Sequence, residues 1–378
     1  MQSYMQLIFN LINTSYWHPL IWIFAAGIVL YKMPKSVVSI GGRQEERWHW
    51  FTAILLVTPY VLWAGSRTNF IDTITYINGF NRAPSSLSQI PAYLASYDKD
   101  QGFSVLIILL KSLGVQNYHT YFTIIAVFQM VCLVYTLRKY SDNLWISLFL
   151  FVASTDYYSW MHNGIRQFIA VCMTFAAFDM LVRRQYIRFS LVVLLASTIH
   201  GSAVLMLPFA FVMIGPAMNR KTLLMIGGVT LMIPFIDMLM PFVEDFLMDT
   251  QYDDMMTGEI WANDDGTNLI RVVVYSAPAL VAVLGWRYIK NNQDPGINMC
   301  INASLITMAV YLVSSVTSGI YIGRIPIYTT LHGYMVLPWL IDQIFEKASA
   351  RLIKLLMVIC YVGFYYYQME IIWELLSK

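Results

Sequence analysis

Charge is scarce in this chain: Asp, Glu, Lys and Arg together make up 12% of its 378 residues, against 58% hydrophobic ones. That leaves too little polar surface to coat a soluble globule, so the composition reads as an integral membrane protein. Polar stretches long enough to form a second domain are lacking, which leaves one membrane domain, 1–378. Short alternating strands are also missing, so the spanning elements are helices rather than a barrel, and the fold class is all-α. The four cysteines, Cys132, Cys172, Cys300 and Cys360, lie in apolar runs without CxxC or Cys/His spacing. They read as packing residues, with no disulfide framework and no zinc site. P-loop, GxSxG, HExxH and dinucleotide fingerprints are absent. No basic region precedes the first apolar stretch, whose first cation is Lys32, so a cleavable signal peptide is not expected. The net charge of +2 gives no footprint for nucleic acid, because the basic residues fall in short clusters between apolar runs.

Those clusters set an orientation. Lys32, Lys35, Arg43 and Arg47 follow a first span at 17–31, Arg138-Lys139 end a span at 119–137, and Arg183, Arg184 and Arg188 end one at 166–182. Placing each cluster on the inner face puts the N-terminus outside. Further spans are expected at 48–66, 144–157, 222–243, 269–286, 297–316, 326–341 and 352–373. The uncharged run 189–214 is long enough for one helix, but a single crossing would turn every later basic cluster outward. A hairpin of two short segments turning near His200-Gly201-Ser202 keeps them inside, which short or broken helices lining a cavity permit. This makes about twelve membrane segments. Residues 67–118 form an outer loop, in which the apolar piece Phe103 to Leu110 is too short to span and reads as interfacial or re-entrant. Residues 244–268 form an acidic outer loop without DxD or EF-hand spacing, so no metal site is read from it.

With this topology the isolated polar residues gather at the outer side: Arg67, Asp72, Arg82, His162, Asn163, Arg166, Gln167, His200, Arg271 and Arg324. Arg166 is the boldest, since a charge at the centre of a membrane helix costs about 2.5–3.5 kcal/mol on insertion scales and asks for a partner. Several outer guanidinium groups make a site for phosphate or pyrophosphate, because the planar fork binds its oxygens in pairs and stays charged. Bland alternatives stand beside this reading. Arg166 can be held by Asp156, Arg67 and Arg82 by Asp72 and Asp98, and Arg271 can offset the acidic loop; Gln167 can be a hydrogen-bond strut and Arg324 a snorkelling helix-end residue. His200 can be a packing residue or a general base, and small Gly201 and Ser202 beside it leave room for a substrate. His162 competes for the same role.

The segments Arg67-Thr-Asn-x-x-Asp72-x-x-x-Tyr76, Gly164-Ile-Arg166-Gln167-x-x-Ala170, Ala196-x-x-x-His200-x-Ser202-Ala203 and Gly323-Arg324 with Tyr328 follow one another along most of the chain. In this order and spacing the chain resembles the EpsG-type branch of the Wzy-like polysaccharide polymerases, departing from the pattern at Phe70-Ile71 before Asp72. The resemblance implies a GT-C-like membrane glycosyltransferase of the bacterial inner membrane. Its activity would be the joining, on the periplasmic or outer side, of oligosaccharide repeat units carried on undecaprenyl pyrophosphate. It implies no cofactor and no metal, the lipid bilayer and lipid-linked repeat units as partners, a chain-length regulator as a candidate partner, and no nucleic acid. Arg166, Arg324 and His200 become the expected catalytic residues. Arg67, Asp72, Arg82, His162, Asn163, Gln167, Ser202, Arg271 and Tyr328 become the expected substrate-binding ones. Direct attack by a sugar hydroxyl would invert the anomeric centre. A lipid-linked oligosaccharide flippase and, more remotely, a membrane O-acyltransferase are the alternatives. The flippase would bind the same phosphate without bond chemistry, and the acyltransferase has no use for the outer arginines.

Overall fold

The computed structural model describes residues 16–40, 43–68, 72–96, 100–235, 238 and 266–373. Most of the acidic loop, 244–265, lies outside the described residues, as do Asp98 and the last part of the expected span at 222–243. In chain order the elements are α1 (His18–Leu30), β1 (Lys35–Ile40), β2 (Arg43–Trp48), α2 (Trp50–Ser66), α3 (Thr73–Arg82), α4 (Ile90–Leu94), α5 (Gln101–Ser112), α6 (Tyr118–Tyr140) and α7 (Leu144–Ala153). There follow α8 (Asp156–His162), α9 (Ile165–Ala176), α10 (Phe178–Val182), α11 (Tyr186–Ile199), α12 (Met206–Met213), α13 (Arg220–Met232), α14 (Leu269–Leu284), α15 (Trp286–Ile289), α16 (Pro295–Ser314), α17 (Ile327–Ile344) and α18 (Lys347–Tyr366). A π-helical turn, Tyr367–Ile372, continues α18.

Helix starts follow local chemistry. Asn117, Asn143, Asn219 and Asn268 each accept a backbone N–H at the head of a helix, and Asp294 does so ahead of Pro295. Pro59, Pro278 and Pro338 sit inside helices, as membrane helices tolerate when neighbours cover the freed carbonyls. Among the described residues, four stretches are long and apolar enough to cross a membrane: Tyr118–Tyr140, Ile165–Val182, Pro295–Ser314 and Lys347–Ile372. Seven further apolar helices are shorter, 10–17 residues. Leu352, Leu355, Leu356 and Ile359 on α18 are exposed, an apolar face suited to lipid.

Several expectations are refined. The linker after α1 is an antiparallel hairpin, with Val37 opposite Glu46, so among the described residues two strands interrupt the helices of the expected all-α fold. The hairpin is pinned by Arg138, which donates to the Trp48 carbonyl at 2.6 Å and to Ser36 Oγ at 2.6 Å. The expected span at 144–157 ends at Ala153, and α8 is a separate short helix after Thr155, whose φ is +68°. The expected short apolar piece at 103–110 is a twelve-residue helix, α5, packed against α11 where Gly102 abuts Thr198. Between α11 and α12 the chain reverses at His200: Tyr186 and Phe189 at the start of α11 share a groove with Phe211 and Ile214 at the end of α12.

Charge sorts the helix ends. Arg47 donates to the Lys139 carbonyl and pairs with Asp142, Lys139 and Arg183 share Asp179, and Lys354 pairs with Asp342. Gly285, just before Arg287 and Lys290, packs on Ile344 at the end of α17. These basic clusters therefore lie together at one end of the bundle, as the positive-inside rule requires. The 23 residues of α6 rise about 34 Å from there to the other end. There α3 and α5 close over the heads of α6 and α9 through a smaller core of Tyr76, Phe80, Phe103, Tyr121, Phe122 and Ile165. This core is distinct from the large one between the long helices.

Candidate active site

Three segments distant in sequence meet at the end of the bundle away from the basic clusters. α9 starts at Gly164, whose φ of +65° suits glycine, and so places Arg166 in its first turn. α5 starts at Asp100, which adopts a left-handed φ of +53° and spends its carboxylate on other segments rather than on its own helix. A strained non-glycine residue at a helix head is a mark of functional sites. Asp100 Oδ2 is 2.9 Å from Arg166 Nη1 and 3.6 Å from His200 Nδ1, and Oδ1 accepts the Gly201 N–H at 3.4 Å. The Asp100 side chain is 5% exposed and that of Arg166 42%, so a buried carboxylate anchors a guanidinium that still reaches the surface.

The surroundings complete the cluster. Tyr76 on α3 lies within hydrogen-bonding reach of Arg166, and burial keeps its phenol above the usual range and therefore neutral. Ser202 Oγ is 3.0 Å from the Tyr328 hydroxyl, which joins the turn after His200 to the head of α17. Gln167 donates to the Arg324 carbonyl at 3.3 Å, so Gln167 is a strut that fixes Arg324 beside the first turn of α9. The Arg324 side chain is half-buried, with no ion pair among the described residues. A Cβ added at Gly201 would meet nothing within 4 Å, so the turn borders open space.

Two other expected residues form a second group. Arg67 follows α2, is 8% exposed, donates from Nη1 to the Ala64 carbonyl at 2.7 Å and stacks 3.7 Å above the Phe122 ring. Burial lowers it to about 10, so it stays charged at neutral pH. It pairs with neither Asp72 nor, among the described residues, any other carboxylate. His162 Nδ1 donates to the Tyr158 carbonyl at 2.8 Å, and burial pushes this imidazole down to about 4. His162 and Arg67 line a common cavity of about 280 Å³.

The remaining expected residues are placed elsewhere. Arg271 is held at 2.5 Å by Asp156, under the stacked rings of Tyr275 and Tyr311, and none of its contacts is to Arg166 or His200. Asp156 is thus the partner of Arg271 and not of Arg166. Arg82 is exposed and donates to the Asn78 carbonyl in its own helix. Asp72 heads α3, where its carbonyl accepts from Tyr76, and Asn163 ends α8. Sequence reasoning passed over Asp100 as one of several loop carboxylates. An acidic residue just ahead of an apolar run was the available signal, and it pointed to a helix cap rather than to His200.

Among the described residues no group of three or more His, Cys, Asp or Glu is placed to hold a metal ion. No curated protein and no solved structure matches the chain. A profile of the EpsG family, by contrast, matches residues 50–371, a stretch that takes in α2 to α18 and every residue of both groups. Such coverage points to a polysaccharide-polymerase-like function, of the polymerase type of glycosyltransferase, and on it the chain belongs to the EpsG family.

Proposed function

We propose that the protein joins oligosaccharide repeat units carried on a polyprenyl pyrophosphate, acting at the outer face of a bacterial inner membrane that its helices cross about twelve times. The end of the bundle opposite the basic clusters is then the outer one. Arg166 and Arg324 bind the pyrophosphate of the donor and stabilise the charge it gains as it leaves, a preorganised electrostatic role that needs no metal. His200 takes the proton of the acceptor sugar hydroxyl. The hydroxyl oxygen forms the new bond to the anomeric carbon, the bond from that carbon to the pyrophosphate breaks, and the electron pair departs with the pyrophosphate. One displacement inverts the anomeric centre, with no covalent intermediate. Asp100, 3.6 Å from Nδ1, favours the positive charge that the imidazole gains, and it keeps Arg166 in place.

The observation that carries this reading is the meeting of Asp100, Arg166 and His200 from three separate segments in a chain of this family. The test is made in cells lacking the native copy. Arg166→Ala and His200→Ala leave the protein in the membrane, abolish polymer and let single repeat units accumulate on lipid. Normal chain-length ladders from both variants would overturn the assignment, and translocation of lipid-linked units by purified protein without polymer would assign a flippase instead.

A further inference from the structure

Arg324 stands at the end of a single 3₁₀ turn, Ile322–Arg324, between α16 and α17. So short a turn has poor hydrogen-bond geometry of its own, and the direction of a long side chain on it must be set from outside. On one side Gln167 holds the Arg324 carbonyl. The other side rests on Thr267, just ahead of α14, through a set of buried hydroxyls. The Thr267 N–H donates to the Ser314 carbonyl at 2.9 Å, and the hydroxyls of these two buried residues meet. Ser314 Oγ donates to the Ser318 carbonyl at 3.0 Å, so its one proton is spent and Thr267 is the donor within the pair. The same Ser318 carbonyl accepts the Gly323 N–H at 3.0 Å, and the Ser318 hydroxyl accepts the Tyr321 N–H at 3.0 Å. Thr267 thus begins a relay that ends on the residue before Arg324. No side chain separates the parts: a Cβ at Gly323 would lie 2.7 Å from Thr267 Oγ1 and 2.9 Å from Ser314 Oγ. One at Gly319 would lie 2.9 Å from the Gly266 carbonyl oxygen, where the backbone cannot give way cheaply. A shift of the hydroxyl pair therefore passes directly to Gly323 and on to Arg324.

We propose that Thr267, through Ser314, is a positioning residue for Arg324: the buried hydroxyl pair fixes the turn that aims this guanidinium at the leaving pyrophosphate. This role rests on the polymerase reading, in which Arg324 binds that group. Gln167, which holds the turn from the other side, is the neighbour of Arg166 in α9. The two arginines are in this way set in one frame, although they come from distant parts of the chain.

The full-length protein, in nanodiscs of phosphatidylcholine, is titrated with geranyl pyrophosphate and followed by native mass spectrometry. Arg324→Ala weakens binding about tenfold, the low end for hydrogen bonds to a charged group. Thr267→Val keeps the shape and loses the hydroxyl. It weakens binding about fivefold, less than the roughly hundredfold that a misplacement of about 1 Å can cost. Thr267→Ser retains the hydroxyl and binds within about twofold of wild type. Added to Arg324→Ala, Thr267→Val weakens binding no further, because a residue that acts through the arginine then has nothing left to position. Should Thr267→Val fail to fold, Ser314→Ala removes the other half of the pair and gives the same loss, again absent from the Arg324→Ala background. Wild-type affinity in Thr267→Val, or in Ser314→Ala where the first does not fold, overturns the proposal and leaves the role of Arg324 standing. So does a further loss when either is added to Arg324→Ala, which would mark a general structural effect. Wild-type affinity in Arg324→Ala removes the donor site assigned above, and the positioning role falls with it.

Discussion

Two arginine–aspartate pairs sit at the same end of the bundle, and their surroundings differ. Arg271 and Asp156 meet at 2.5 Å with the arginine 24% and the aspartate 4% exposed, and Tyr275 and Tyr311 stack beside them. Tyr275 donates to the Ser154 carbonyl, tying α14 to the loop before α8. The aspartate and both tyrosines are buried there, so the pair joins two helices. Arg166 and Asp100 meet at 2.9 Å, but the arginine is 42% exposed and the aspartate also faces His200 and the Gly201 N–H. Here a carboxylate holds a cation that reaches the surface and lies beside an imidazole that is buried. The same residue types thus make a structural rivet in one place and a reactive cluster in the other, and the difference lies in what else the carboxylate touches.

Substitution separates the two. The largest effect is expected from Asp156→Ala, since removing one partner of a buried pair costs about 3–5 kcal/mol by leaving the other charge uncompensated. The purified protein should melt well below wild type, and Asp156→Leu with Arg271→Met together should recover most of the loss. A normal melting temperature combined with lost polymer would move that pair into the reactive class. Next comes Asp100→Asn, which keeps the shape and removes the charge. Melting should stay near wild type while turnover falls about a hundredfold, the low end of what acid–base positioning contributes. Destabilisation like that of Asp156→Ala would make it a second rivet.

The smallest effect concerns His162. His162 is neutral in the fold down to about 4, below its ordinary value near 6.5, so it adds stability that is present above pH 6.5 and lost as pH falls toward 4. His162→Gln should therefore lessen the loss of melting temperature between pH 7 and 5 and leave the pH profile of polymer synthesis unmoved. A displaced profile would pass the role of base from His200 to His162.

Much of this could be read from the residues. The hairpin at His200 followed from the need to keep Arg220, Lys221, Arg287 and Lys290 on one side. The sorting of Arg47, Lys139 and Arg183 to one end followed from the cost of moving cations across hydrocarbon. Arg166 and His200 stood out because polar groups in apolar runs require a reason. The hairpin of β1 and β2 escaped notice because contacts from Arg138, about ninety residues later, help to pin it. Arg67 stood out as an outer cation, but nothing local announces that it stacks on Phe122.

Helix positions, their alternating direction and the end at which the uncommon polar side chains collect were set by the sequence alone, because transfer of each segment between water and lipid depends on its own residues. Which arginine meets which carboxylate was decided by tertiary structure: Arg166 finds Asp100 across 66 residues and Arg271 finds Asp156 across 115. An ion pair depends on distances of a few ångströms between side chains, and only the packing of α5, α9, α11 and α14 brings those side chains so close.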